Sequence, residues 1–376
     1  MKKVSIVSLL MCMVLSLSLV LFGCSTNNSG QQPSNTPDTS APVSPEASAE
    51  PSTRTITDLA GNTVEIPGAN EINKVIIVAP PLLATYASVV KDTSKIVGVH
   101  TRALAEVNKD LLGDIVPNWE SINTSFLTGF TSNAEEVLTL DPDIIFVYGD
   151  FQKSGLENVD IPVVDFFISD QQNESWSVQI DTLMRKIFDI KNEATLQREW
   201  DKANEVINTA LQPVDESGKK SAVMINNTGE TLTVRGSGSY GDDWLIKTGL
   251  VNAAGELKGD GIEVTMEQIY EWNPDIIYVF QGMDASKYLE NSIDGQDWSE
   301  INAFKNGEIY NMPYGMFNWG APNADSPLTL IWLTMKSYPD LIENDYFTTY
   351  MKDYYQRQYG ITPTDETIKL ILNPTR

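Results

Sequence analysis

Two stretches of this chain read almost alike. Asn133–Tyr148 is NAEEVLTLDPDIIFVY and Thr265–Phe280 is TMEQIYEWNPDIIYVF, at a constant offset of 132 residues. Identical across that offset are Glu135/Glu267, Pro142/Pro274, Asp143/Asp275, Ile144/Ile276, Ile145/Ile277 and Val147/Val279. The period is domain-sized, well beyond the roughly 20–50 residues of a solenoid repeat. The chain must therefore hold one helix–strand unit twice, in two similar domains.

The unit has a readable physical form. Asn133 precedes an apolar-periodic run, Ala134–Leu140, with Glu136 three residues on, a capping-box-like start with Asn in place of Ser or Thr. Pro142 ends the helix and launches DIIFVY as a strand. Thr265, Gln268 and Pro274 do the same in the second copy. Around the first copy lie three more short apolar runs, Lys74–Ala79, Lys95–Val99 and Pro162–Phe167, β-branched and apolar on both faces like buried parallel strands. Around the second lie Ser221–Ile225, Leu232–Val234 and Glu308–Met312, with helices near Asp243–Thr248, Trp332–Tyr338 and Tyr346–Gln358. The closing helices are expected outside the second sheet. Between the copies, Ser175–Gln212 contains no strand-like run and is rich in helix formers, with apolar positions at Ile180, Leu183, Ile187, Leu196, Trp200 and Ile207. It reads as a long helical connector, one helix or two, with Asp189–Asn192 as the one place of interruption. The predicted fold is α/β: two similar open lobes with parallel sheets, joined by the connector, and a ligand cleft between them at the carboxyl ends of the strands. The expected boundaries are 54–172, 173–213 and 214–376, with TITDLAGNTVEIP opening the first lobe as a hairpin around Ala60-Gly61-Asn62.

The start of the chain is of another kind. Lys2 and Lys3 precede an apolar run from Val4 to Phe22 and then Gly23-Cys24, the pattern of an export signal over 1–24. The Leu21-Phe22-Gly23-Cys24 ending resembles the lipobox of bacterial lipoproteins, which implies a lipidated Cys24 and an extracytoplasmic body anchored to the cell membrane. Residues 25–53 are rich in Ser, Thr, Pro, Asn and Gln and read as a disordered tether. The other cysteine, Cys12, lies in the signal, so the body has no disulfide, no cysteine-based zinc site and no cysteine nucleophile. With 51 Asp+Glu against 26 Lys+Arg and no basic stripe, nucleic acid is not an expected partner.

TITDLAGNTVEIP, KIVGV, the two Glu-x6-Pro-Asp-Ile-Ile units, the helical connector, GEIYNMP and SPLTLIWLTMKSYPD follow one another in an order that carries a family resemblance. The chain resembles the solute-binding lipoproteins of bacterial ABC importers, in the helix-linked class that binds iron–siderophores, haem and corrinoids. The resemblance implies two lobes on a rigid connector, small closure motions, delivery of a small-molecule ligand to a permease dimer with its ATPase, a monomer, and no resident cofactor. It also implies a role for Glu135 and Glu267. Each stands seven residues before its proline, where the family's glutamates pair with permease arginines, one per lobe. A bland reading competes, since a carboxylate in a first helical turn is stabilised by the helix dipole.

Candidate ligand-binding residues follow from loops after the strands: Arg102, Trp119, Tyr148, Arg235, Tyr240, Tyr314, Phe317 and Trp319, with Pro80-Pro81, Thr101 and Gln281 nearby. Aromatics with one or two arginines suit a flat or anionic chelate. Arg235 is best placed, before the Gly/Ser-rich GSGSYG, which lacks the Lys-Ser/Thr ending of a phosphate loop. His100, the only histidine, cannot by itself build a metal site. It reads as a locally bonded strand-end residue, or else a supplementary contact to a bound chelate. The expected function is capture of a metal chelate, a ferric siderophore first, then corrinoid or haem, with an oxyanion as the alternative within the same fold. An enzyme is not expected: there is no Gly-x-Ser-x-Gly elbow and no catalytic cysteine, although a carboxylate-dependent hydrolase remains a rival, as does a receptor feeding a sensor.

Overall fold

The repeated unit folds the same way twice. In the computed structural model, which describes residues 52–170, 172–191 and 195–375, the helices Ala134–Leu140 and Met266–Trp272 each end on a left-handed residue, Asp141 (φ 51°) and Asn273 (φ 40°). The Asn133 Oδ1 caps the first by accepting from Glu135 N and Glu136 N, and Gln268 Oε1 accepts from Thr265 N in the second. The prolines then start the strands Ile144–Val147 and Ile276–Gly282. The invariant aspartate has one task in both copies. Asp143 Oδ2 accepts from Asn73 N and Lys74 N at 2.6 and 2.8 Å, and Asp275 Oδ2 accepts from Ser221 N at 2.9 Å. Each aspartate thereby pins the repeated strand to the first strand of its lobe, in the registers Val75↔Ile144 and Ala222↔Ile276.

The first sheet is four-stranded and parallel, in the order Ile96–Val99, Val75–Ile77, Ile144–Val147, Val163–Asp165. Its central strands are fully buried on both faces, as their unbroken apolar composition requires. The second sheet keeps that core, with Ser221–Asn227, Ile276–Gly282 and Ile309–Asn311 parallel. It is nevertheless mixed, where parallel strands were expected throughout. Leu232–Val234 runs antiparallel to both Ser221–Asn227 and Ile262–Glu263. The cause is the short link Thr228–Thr231 with Gly229 at φ +91°, since so tight a turn can only return the chain beside itself.

The opening hairpin forms as expected, Thr53–Thr57 against Thr63–Pro67, and so begins one residue inside the stretch read as tether. The rest of the tether to residue 51, the export signal and Cys24 lie outside the described residues. The connector is two helices, Asn173–Ile187 and Thr195–Ala210, with left-handed Asp189 (φ 51°) in the break. Trp200 of the second donates through Nε1 to Ser177 Oγ of the first, and its ring stacks on Trp244 at 5.8 Å. The C-terminal helices reach further than expected. Asn344–Tyr359 packs on Leu82–Val89, the all-buried helix that follows the first strand of the first sheet, where Ser88 Oγ donates to Gln358 Oε1. Thus the end of the chain also holds the first lobe.

Candidate functional site

Strand residues of the second sheet and segments that follow strands of both sheets converge on one cavity of about 280 Å³. The first sheet sends Pro80 and Pro81, Arg102, and Tyr148 with Phe151 and Gln152. The second sends Arg235, Phe280 with Gln281, and Phe317 with Ala321 and Pro322; Tyr240, Asp260, Phe130 and Trp176 of the connector complete it. This is the position that the strand-end rule assigns to ligands of open α/β sheets.

Both arginines are held in place by named contacts. Arg235 is 4% exposed, with its guanidinium 5.3 Å from the Tyr240 ring centre and 5.0 Å from that of Phe280. Its Nη1 pairs with Asp260 Oδ1 at 2.7 Å, and its Nε is buried without a hydrogen-bond partner. Arg102 donates to Glu106 through Nε (2.8 Å) and Nη2 (3.2 Å). Glu106 in turn accepts from Gln281 Nε2 at 3.1 Å and from Asn318 Nδ2 at 3.3 Å, so one carboxylate joins the two lobes beside the cavity. Tyr148, its ring centre 5.4 Å from that of Trp176, has a buried hydroxyl without a partner. Burial pushes that hydroxyl up, and burial likewise pushes the Tyr240 hydroxyl up to about 12 while Arg235 pulls the other way. An aromatic-walled chamber with two guanidinium groups and two unsatisfied buried polar atoms is equipped to bind a small polar solute.

The structure brings Arg102, Tyr148, Arg235, Tyr240 and Phe317 to this cavity. It does not bring Trp119, Tyr314 or Trp319. Trp119 is carried off by two intervening helices, Thr101–Ala105 and Lys109–Ile115, and lies under the Lys109 ammonium at 5.1 Å. Tyr314 lines a separate pocket with Leu370 and Pro374, its backbone N donating to Ile371 O. Trp319 is fully buried and turns its Nε1 to Asp325 Oδ2 at 3.3 Å. That carboxylate also accepts from Met316 N, Tyr355 Oη and Tyr359 Oη, which folds the 313–325 segment inward and leaves Phe317 on the cavity side. Burial pushes the Asp325 carboxyl up, with these donors opposing. His100 caps Thr101–Ala105 by accepting from Arg102 N at 3.0 Å and lies 4.4 Å from the Phe130 ring. Burial, then the nearby Arg102, hold its imidazole below the usual histidine range. Among the described residues no cluster of three or more His, Cys, Asp or Glu is arranged to hold a metal ion.

Sequence reading missed Trp176, Phe130, Phe151, Phe280 and Asp260. Asp260 alone had a local signal, its Gly259 and Gly261 neighbours, both at positive φ. Glu135 and Glu267 are exposed in the first turns of their helices and neither lines the cavity. The Glu267 backbone N–H and the Thr265 hydroxyl hold the Glu267 carboxyl below its ordinary range.

Two open α/β sheets sharing one polar cavity at their strand ends define a two-lobed binding protein. Residues 82–314 match the model of the periplasmic binding protein family, and the chain belongs to that family. It is 26% identical over 333 residues to the molybdate-binding protein MolA of Haemophilus influenzae, spanning 81% of this chain and 91% of that protein. Among solved structures it is similar to a periplasmic solute binding protein from Veillonella parvula, 29% identical at a TM-score of 0.71, covering 85% of this chain and 97% of the other. It is also similar to the Haemophilus influenzae MolA structure bound to molybdate, 23% identical with the same TM-score, covering 83% and 99%.

Proposed function

We propose that the protein is the solute receptor of an ABC importer and that its solute is a small oxyanion. The carrying observation is that Arg102 and Arg235 enter a single cavity of about 280 Å³ from the two lobes. That volume sits at the floor of the roughly 300–1,000 Å³ range of pockets for drug-sized ligands. A haem, a corrinoid or a ferric siderophore is larger, so the space favours the oxyanion alternative over the chelates expected from sequence. The relationship to a molybdate-binding protein supports the same reading. No chemistry on the solute is proposed.

The aromatic walls favour one second reading, a compact anionic chelate stacked on Trp176 and Phe280. Calorimetric titration with molybdate, tungstate and a ferric siderophore separates the two. Arg235→Ala is expected to weaken the binding of molybdate by about 1–3 kcal/mol, the range for stranding a buried polar partner. A receptor that takes the siderophore and no oxyanion would refute the oxyanion reading.

Delivery completes the proposal. The body is extracytoplasmic, anchored through Cys24, and docks as a monomer on a permease through Glu135 and Glu267. A further pair supports this face: Leu138 and Tyr270 again stand 132 residues apart and are 54% and 40% exposed, three residues beyond each glutamate. An exposed acid beside an exposed apolar side chain, present once per lobe, suits a partner with two equivalent halves.

A further inference from the structure

Each cavity arginine arrives with a carboxylate of its own, and the two carboxylates are held differently. Glu106 is built in: its side chain is 15% exposed and it binds Arg102, Gln281 and Asn318 together. Asp260 is 36% exposed and, among the described residues, its carboxylate pairs with Arg235 alone. The flanking backbone permits it to leave. Gly259 (φ +105°) is tied by hydrogen bonds between its O and Gly236 N and between its N and Ser237 O, and Gly261 follows at φ +65°, so Asp260 stands between two glycines that have no Cβ to restrict them. Arg235 cannot follow, being packed against Tyr240 and Phe280.

We propose that Asp260 is the specificity-determining residue of the cavity: its carboxylate covers the Arg235 guanidinium until a more highly charged anion displaces it. The proposal rests on the oxyanion reading above. A guanidinium this deeply buried is strongly disfavoured without a counter-charge, so the empty receptor needs one. A monoanion would replace one carboxylate by its equal and gain little. A dianion with several acceptor oxygens offers stronger pairing to Arg235 and can reach Arg102 as well. The device therefore admits dianions and turns away monoanions. It adds selectivity by repulsion to selectivity by fit.

Molybdate and perrhenate test this, because both are tetrahedral and they differ by one charge. The wild-type receptor is expected to bind molybdate at least tenfold more tightly than perrhenate in calorimetric titration. Asp260→Asn should tighten both, by about fivefold for molybdate, the scale of a partly exposed ion pair, and by more for perrhenate, so that the ratio narrows. Asp260→Ser, measured in parallel with a thermal denaturation curve for each variant, should act in the same direction. If the wild type binds molybdate but both variants bind it more weakly, or keep the molybdate-to-perrhenate ratio, Asp260 only positions Arg235 and the proposal is overturned while the oxyanion reading stands. If neither the wild type nor the variants bind either anion, the oxyanion reading fails and takes the proposal with it.

Discussion

Gly320 sits where the 313–325 segment passes behind Phe280, and replacing it by alanine tests how the cavity wall is held. A Cβ there would lie 2.1 Å from Phe280 Cδ2 and 2.5 Å from Cε2. Carbon atoms rest at about 3.5–4.0 Å, so the ring must withdraw by about 1.5 Å. The backbone cannot yield instead, because Trp244 Nε1 donates to Gly320 O and Gly320 N donates to Asn318 Oδ1. On its other side Phe280 meets Tyr240 at 5.9 Å and the Arg235 guanidinium at 5.0 Å. A shift of the ring therefore disturbs its contacts with Tyr240 and Arg235 and the wall of the cavity that it lines. Overpacking of this kind costs about 1–3 kcal/mol, and the displaced cation–π contact adds to the loss of solute affinity. Urea denaturation followed by tryptophan fluorescence should show that destabilisation, and titration with molybdate should show at least a tenfold weaker complex. Gly113→Ala is the control: the residue lies within the helix Lys109–Ile115, a Cβ there meets nothing within 4 Å, and a gain of about 0.5–1 kcal/mol is expected. A Gly320→Ala receptor with wild-type stability and affinity would refute the claim that this glycine sets the position of the wall.

Three other outcomes are expected. Glu135→Ala with Glu267→Ala should abolish uptake in cells while solute affinity and stability of the free receptor stay unchanged, since exposed carboxylates contribute little to folding; normal uptake would leave them only a helix-start role. Burial opposes ionisation of Glu199, but hydrogen bonds from Arg357 and Lys202 outweigh it and hold the carboxyl below the usual glutamate range. Its contribution is thus present above the unfolded-state value near 4.5 and is lost as pH falls through the lower folded-state value, so Glu199→Gln should cost about 1 kcal/mol at neutral pH and progressively less in acid; a difference that does not shrink below pH 4.5 would contradict this. Cys24→Ala should prevent lipidation and either release the protein or leave its precursor unprocessed, and mass spectrometry finding Cys24 unmodified with the signal intact in the native protein would remove the lipid anchor.

What the sequence determined by itself was local and repeated. The capped helix, the proline and the buried strand of each copy are encoded within about sixteen consecutive residues, and hydrophobic period with capping chemistry specifies such units without help from the rest of the chain. The break in the connector at Asp189 and the opening hairpin were legible for the same reason. The strand-end rule also carried Arg102 and Tyr148 to the cavity, because each follows a parallel strand within a few residues, whereas Arg235 follows the antiparallel strand Leu232–Val234 and the rule does not account for its arrival. Prediction failed where the chain travels further before it returns. Trp119 is separated from its strand by two helices, and Trp319 is turned inward by Asp325 bonding to tyrosines 30 and 34 residues away. Asp260 beside Arg235, Trp176 beside Tyr148, and Glu106 beside Gln281 were decided only by tertiary structure. These pairings join residues from different segments, and from both lobes, whose meeting depends on how two sheets and the connector pack, a long-range property that no local pattern encodes.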